Sequence, residues 1–120
     1  MNMKEFYESI GGSYETAIGR LMNEALMKRF VGKFPKDPSF SQLKTAMEAD
    51  DWAAAFSAAH TLKGVALNLA FQKLGENASA LTETLRPQHA ADFSADVARA
   101  QFMDTEAAYE AVMAGIAAIE

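Results

Sequence analysis

Between Trp52 and Leu69 the apolar positions Trp52, Ala55, Ala59, Leu62, Ala66 and Leu69 recur at spacings of 3, 4, 3, 4 and 3 residues. A stripe of that period lies along one side of an α-helix and along no side of a strand. It is also the seam by which one helix docks its side chains between those of its neighbours. Small residues in the seam let neighbouring helix axes come close. A chain with this seam at its centre must supply other helices to cover it.

The rest of the sequence supplies them. Residues 2–10 predict a short first helix, ended by Gly11-Gly12, with Ser13 placed to cap the next. From Tyr14 to about Phe34 apolar residues at 14, 17, 18, 21, 25, 30, 31 and 34 predict one helix of roughly six turns. Pro35 ends it, because proline disfavours helical geometry in the residue before it. Asp37-Pro38 reads as a cap followed by proline at the first helical position. That helix runs to about Ala49 and turns Phe40, Leu43 and Met47 inward. Asp50-Asp51 starts the seam helix with acid at the positive end of its dipole.

A further helix from about Phe71 to Arg86 carries Leu74, Ala78, Leu81 and Leu85 on one face. "RPQHAAD" predicts a loop, and Asp92 or Ser94 caps a last helix reaching nearly to Glu120. Its stripe starts Phe93, Val97, Ala100 and continues Tyr109, Val112, Ile116, Ile119. Nothing alternates with period two, so no sheet is expected. The fold class expected is all-α: an antiparallel, up-and-down four-helix bundle with a short extra N-terminal helix. The 120 residues make a single domain, residues 1–120, with the bundle over about 13–119. The Met1 start and helical Glu120 end suit a complete chain.

Composition excludes several function classes. Half the residues are hydrophobic, enough for a buried core, and the net charge is −5 with no basic run. Such a chain is a poor partner for nucleic acid. It has no cysteine, hence no disulfide, thiolate ligand or cysteine nucleophile. The N-terminus lacks the apolar run of a signal peptide, and no stretch approaches the ~18 apolar residues of a membrane span. A cytoplasmic, membrane-free monomer is expected.

The face that the seam does not use is the informative one. At about 100° per residue, His60 points roughly 130° away from the seam's centre. Gly64 and Leu67 lie within about 40° of it, one and two turns on. Ser57 lies one turn before, and Phe56 and Lys63 occupy the flank between His60 and the core. Taken singly these are ordinary surface residues. Gly115 is expected to serve only close helix packing, and His89, in a distant loop, has no expected role. Together they leave one ionisable ring on a small, partly apolar surface, in a chain whose outer faces are otherwise charged.

That combination suits one chemistry. An imidazole titrates near pH ~6.5, so at neutral pH much of it is neutral and nucleophilic through a ring nitrogen. A lysine one turn away brings a positive charge for phosphate oxygens. A glycine inside a helix costs about 0.5–1 kcal/mol against alanine, yet it removes a side chain where a partner must approach. The set fits a histidine that accepts a phosphoryl group from a docked partner and returns it. No second histidine, carboxylate pair or activated serine nucleophile sits nearby to drive hydrolysis, and two histidines far apart make no metal site.

The segment "AHTLKGVALNLAFQKLGENASALTETLR" resembles the signature of histidine-containing phosphotransfer (HPt) domains, and the resemblance covers roughly Tyr14 to Ile119. The family pattern is a histidine, a lysine three on, a glycine directly after it, then small residues and a leucine-rich helix. The resemblance implies that His60 is phosphorylated by the aspartyl phosphate of a response-regulator receiver domain and passes the group to another receiver. It implies that Lys63 neutralises phosphate charge. Phe56, Ser57, Gly64 and Leu67 would dock the partner. On the following helix Thr82 would orient the histidine ring, where members often carry glutamine. The chain would be a phosphocarrier and not an enzyme, with no cofactor of its own and Mg²⁺ supplied by the receiver. A hybrid sensor histidine kinase would be the other partner. Leu67 and Ala70 depart from the family, which usually has a small residue and a glycine there. The alternative is a non-phosphorylated helical module that binds a receiver or kinase.

Overall fold

The computed structural model describes residues 1–87 and 91–120. Helix α1 spans Met3–Ser9, α2 Tyr14–Leu21, α3 Glu24–Lys33, α4 Ser39–Glu48, α5 Trp52–Asn68, α6 Gln72–Leu85 and α7 Ala95–Ala117. Short 3-10 turns at Phe34–Lys36 and Pro87–Asp92 link α3 to α4 and α6 to α7. No strand occurs among the described residues, so the all-helical expectation holds.

Most starts follow from caps written into the sequence. Asn2 and Glu5 form a reciprocal capping box, with backbone-to-side-chain distances of 2.8 and 3.0 Å. Ser13, Asp51 and Ser94 each accept from a backbone N–H three residues on, at 3.1, 3.2 and 3.2 Å. Each such cap stabilises its helix by about 1 kcal/mol. Asp37 likewise accepts from the Ser39 N–H at 2.9 Å and from the Ser39 hydroxyl, so α4 begins at Ser39, one residue later than expected.

Two expectations need correction. The single helix over Tyr14 to Phe34 is two helices. Met22 takes a positive φ of 75°, and Asn23 caps α3 by accepting from the Leu26 N–H at 2.9 Å. The apolar stripe continues across this break, so periodicity alone does not mark it; asparagine's affinity for local backbone bonds does. In α7 the buried positions are Ala98, Thr105, Ala108, Val112 and Gly115, while Val97 is 48% exposed. The start of the expected stripe, at Val97 and Ala100, is therefore one residue out of phase, while its later part at Tyr109, Val112, Ile116 and Ile119 faces the core. Phe93 precedes the Ser94 cap and packs on Trp52 from outside the helix, at 4.9 Å between ring centroids.

The helices from α4 onward pack in sequence: α4 on α5, α5 on α6, α6 on α7. Side-chain pairs run in opposite chain order. Leu67 of α5 meets Gly75 of α6, and Phe56 meets Arg86. Between α4 and α7, Phe40 stacks on Tyr109 at 3.9 Å, and Lys44 Nζ reaches Glu106 at 3.2 Å. The seam of α5 is buried as read, except for half-buried Trp52.

The short N-terminal helix α1 joins the core. Phe6 and Tyr7 are fully buried, and both rings pack on Phe71 at 5.8 Å. The Tyr7 hydroxyl donates to the Leu69 carbonyl at 2.8 Å. A methyl group on Gly115 would come within 2.8 Å of the Phe6 ring, so that glycine serves close packing. Burying rings of this size contributes on the order of 2 kcal/mol each.

Candidate functional site

Helix α5 is held at both ends, which fixes the direction of its outward face. Its start is capped by Asp51. Past its C-terminus, Phe71 N–H returns to the Ala66 carbonyl at 2.9 Å with Ala70 at φ 59°. This is a left-handed helix stop, the position where glycine costs least. Alanine there costs about 1 kcal/mol, which explains why the family usually has glycine. The Arg20 guanidinium, from α2, donates to the Leu67 carbonyl in the last turn.

His60 is exposed midway along this helix, as are Ser57 and Gly64. Phe56 and Lys63 are half-buried on its flank. The Phe56 ring lies nearly parallel to the imidazole, with centroids 6.1 Å apart and planes 14° apart. A methyl group built on Gly64 meets nothing within 4 Å. The fold therefore places no demand on that glycine, in contrast to Gly115. The surface above it is open.

Two residues are more buried than an outward face alone would suggest. Leu67 is half-buried, and its Cγ lies 2.8 Å from where a Gly75 Cβ would stand. The leucine that departs from the family's small residue thus fills a hole left by a glycine on α6. Thr82 stands level with His60 in the opposed order of α5 and α6, but it is fully buried. Its hydroxyl donates to the Ala78 carbonyl at 2.7 Å, one turn back in its own helix. That bond uses the only proton the hydroxyl has to give and leaves its lone pairs free to accept.

One residue escaped the sequence reading. The Arg86 guanidinium carbon lies 5.4 Å from the centroid of the Phe56 ring, a cation–π contact. The same group donates to both carboxylate oxygens of Glu83, at 2.9 and 3.0 Å. The Glu83 bonds hold the Arg86 pKa above its ordinary value. An arginine three residues from a glutamate at a helix end gave no signal in sequence. Only the pairing of α5 with α6 brings it beside the histidine face. His89 lies outside the described residues. Among the described residues, no cluster of three or more His, Asp or Glu is placed to hold a metal.

The face thus presents an open-sided histidine, a stacked aromatic ring, and cations on two helices. The family model of the Hpt domain matches residues 26–115. The chain belongs to the Hpt domain family. No curated protein and no solved structure gives a significant match. The matched Hpt span takes in α4, α5 and α6 complete, and most of α3 and α7. Helices α1 and α2 precede it, although α1 contributes to the core. Hpt domains are phosphocarriers of two-component phosphorelays, working with receiver domains. No described helix is long and apolar enough to cross a membrane.

Proposed function

We propose that His60 is the residue that carries the phosphoryl group. A neutral ring nitrogen attacks the phosphorus of a receiver's aspartyl phosphate. The new N–P bond forms as the P–O bond to the carboxylate breaks, and the reverse sequence delivers the group to a second receiver. Lys63 offsets the charge on the phosphoryl oxygens. Phe56, Ser57 and Gly64 meet the receiver. The observation that carries this is the open space over Gly64 beside an exposed His60. A packing role would have put atoms there.

Phosphoryl transfer needs mainly positioning and charge stabilisation. The receiver supplies Mg²⁺ and most of that stabilisation, so this chain needs no cofactor. A hybrid sensor histidine kinase and a response regulator are the partners on either side, and contact with each is small and transient. The chain acts as a cytoplasmic monomer and a single domain over residues 1–120. The opposed contact orders of α4 to α7 support an antiparallel four-helix bundle as its framework.

The test is labelling by a phosphorylated receiver. Wild type and His89→Gln should take up acid-labile phosphate, and a folded His60→Gln should take none. Receiver binding with no phosphate on any form would instead indicate a pure interaction module.

A further inference from the structure

We propose that the Ser57 hydroxyl donates a hydrogen bond to the phosphoryl group on His60, so that Ser57 binds the phosphorylated state besides meeting the receiver. This rests on His60 being the carrier. Ahead of the histidine, α5 reads "AAAFSAAH" over residues 53–60. Only Phe56 and Ser57 interrupt that run of alanines. They stand four and three residues before His60, one turn back on its side of the helix. Serine is a weaker helix former than alanine. Ser57 is also exposed, so packing does not call for it.

The hydroxyl has a proton to give. Thr61, next to His60, turns its own proton back on the Ser57 carbonyl at 3.1 Å. Thr82 and Thr105 do the same one turn back, on the carbonyls of Ala78 and Gln101. Among the described residues nothing engages the Ser57 hydroxyl in that way. The imidazole meanwhile comes toward it. Helix side chains lean toward the N-terminus, so Phe56 leans away from His60 and the contact between their rings needs His60 to lean back over that turn. Residues three apart on a helix have Cβ atoms about 5–6 Å apart. A phosphoryl group on the ring extends its three acceptor oxygens into that gap. The short Ser57 side chain leaves room there and offers a donor. Lys63, on the turn after His60, adds charge; Ser57, on the turn before, adds a neutral bond that fixes direction.

The experiment uses the full chain in a His89→Gln background, phosphorylated at His60 with potassium phosphoramidate, a donor that needs no receiver. Phosphorus NMR follows the second pKa of the phosphoryl group, which a hydrogen bond donated to the dianion lowers. Ser57→Ala should raise that pKa by about 0.3–0.5 unit. It should melt no lower than its parent, alanine being the better helix former. The same proteins are then brought to equilibrium with a receiver, at concentrations where the complex is sparse. The final division of phosphate depends on the free phosphorylated species, so weaker docking alone does not shift it. Ser57→Ala should move it toward the receiver by about two- to tenfold. An unchanged pKa or an unchanged division overturns the proposal; slowed transfer with both unchanged would make Ser57 a docking residue only. Receiver labelling of His60→Gln decides the carrier role separately, so the two failures are distinguishable.

Discussion

A methyl group at position 64 would meet no atom of a neighbouring element within 4 Å. Its helix nevertheless forgoes about 0.5–1 kcal/mol there. Gly64→Ala should therefore stabilise the fold by about that amount, read from thermal melting. Gly64→Gln should leave helix content and melting nearly unchanged and slow phosphoryl transfer strongly, because its side chain fills the approach to His60. Unimpaired transfer in Gly64→Gln would contradict the clearance role. His60 and Gly64 were legible in sequence because a helical glycine beside a histidine is conspicuous in an alanine-rich chain. Thr82 was placed by ungapped counting, which finds the level on the next helix; its burial and its bond to a carbonyl of its own helix are visible only in the fold. Arg86 was invisible because its importance lies in a contact across helices.

Helices α5 and α6 meet through Leu67 and Gly75, and the pair explains a family departure as packing. Adding a methyl group at 75 drives it into the Leu67 side chain. Gly75→Ala should cost about 1–3 kcal/mol by overpacking. Leu67→Ala should restore part of that loss in the double variant, measured by a denaturation cycle. Independent, additive losses would mean the two side chains do not share the hole. The seam of α5 and the faces of α4 and α6 were readable from periodicity. The break at Met22-Asn23 was not, since an uninterrupted stripe does not record where the backbone turns. In α7 the phase was set by the Ser94 cap and not by the nearby Phe93 and Val97.

Across the whole molecule, α1 closes one end of the core, and Tyr7 ties it to the end of α5 through the Leu69 carbonyl. Burial pushes the Tyr7 pKa well above the ordinary value of 10.0. The stability this tyrosine gives is thus complete below pH 10.0, its unfolded value, and falls as pH rises beyond it. Tyr109 is raised in the same direction by burial, then by Asp37. Tyr7→Phe should lose about 1 kcal/mol at neutral pH from the missing hydrogen bond. It should also unfold less steeply with pH above 10.0, by denaturant titration at several pH values. An alkaline profile identical to wild type would show that Tyr7 does not ionise on unfolding. This closure ties down the end of α5, the helix on which His60 is exposed. Labelled phosphate tests that function most directly: with a phosphorylated receiver as donor, wild type should carry acid-labile label that a second receiver removes. Folded His60→Gln should carry none; equal labelling of that variant would contradict the carrier role of His60.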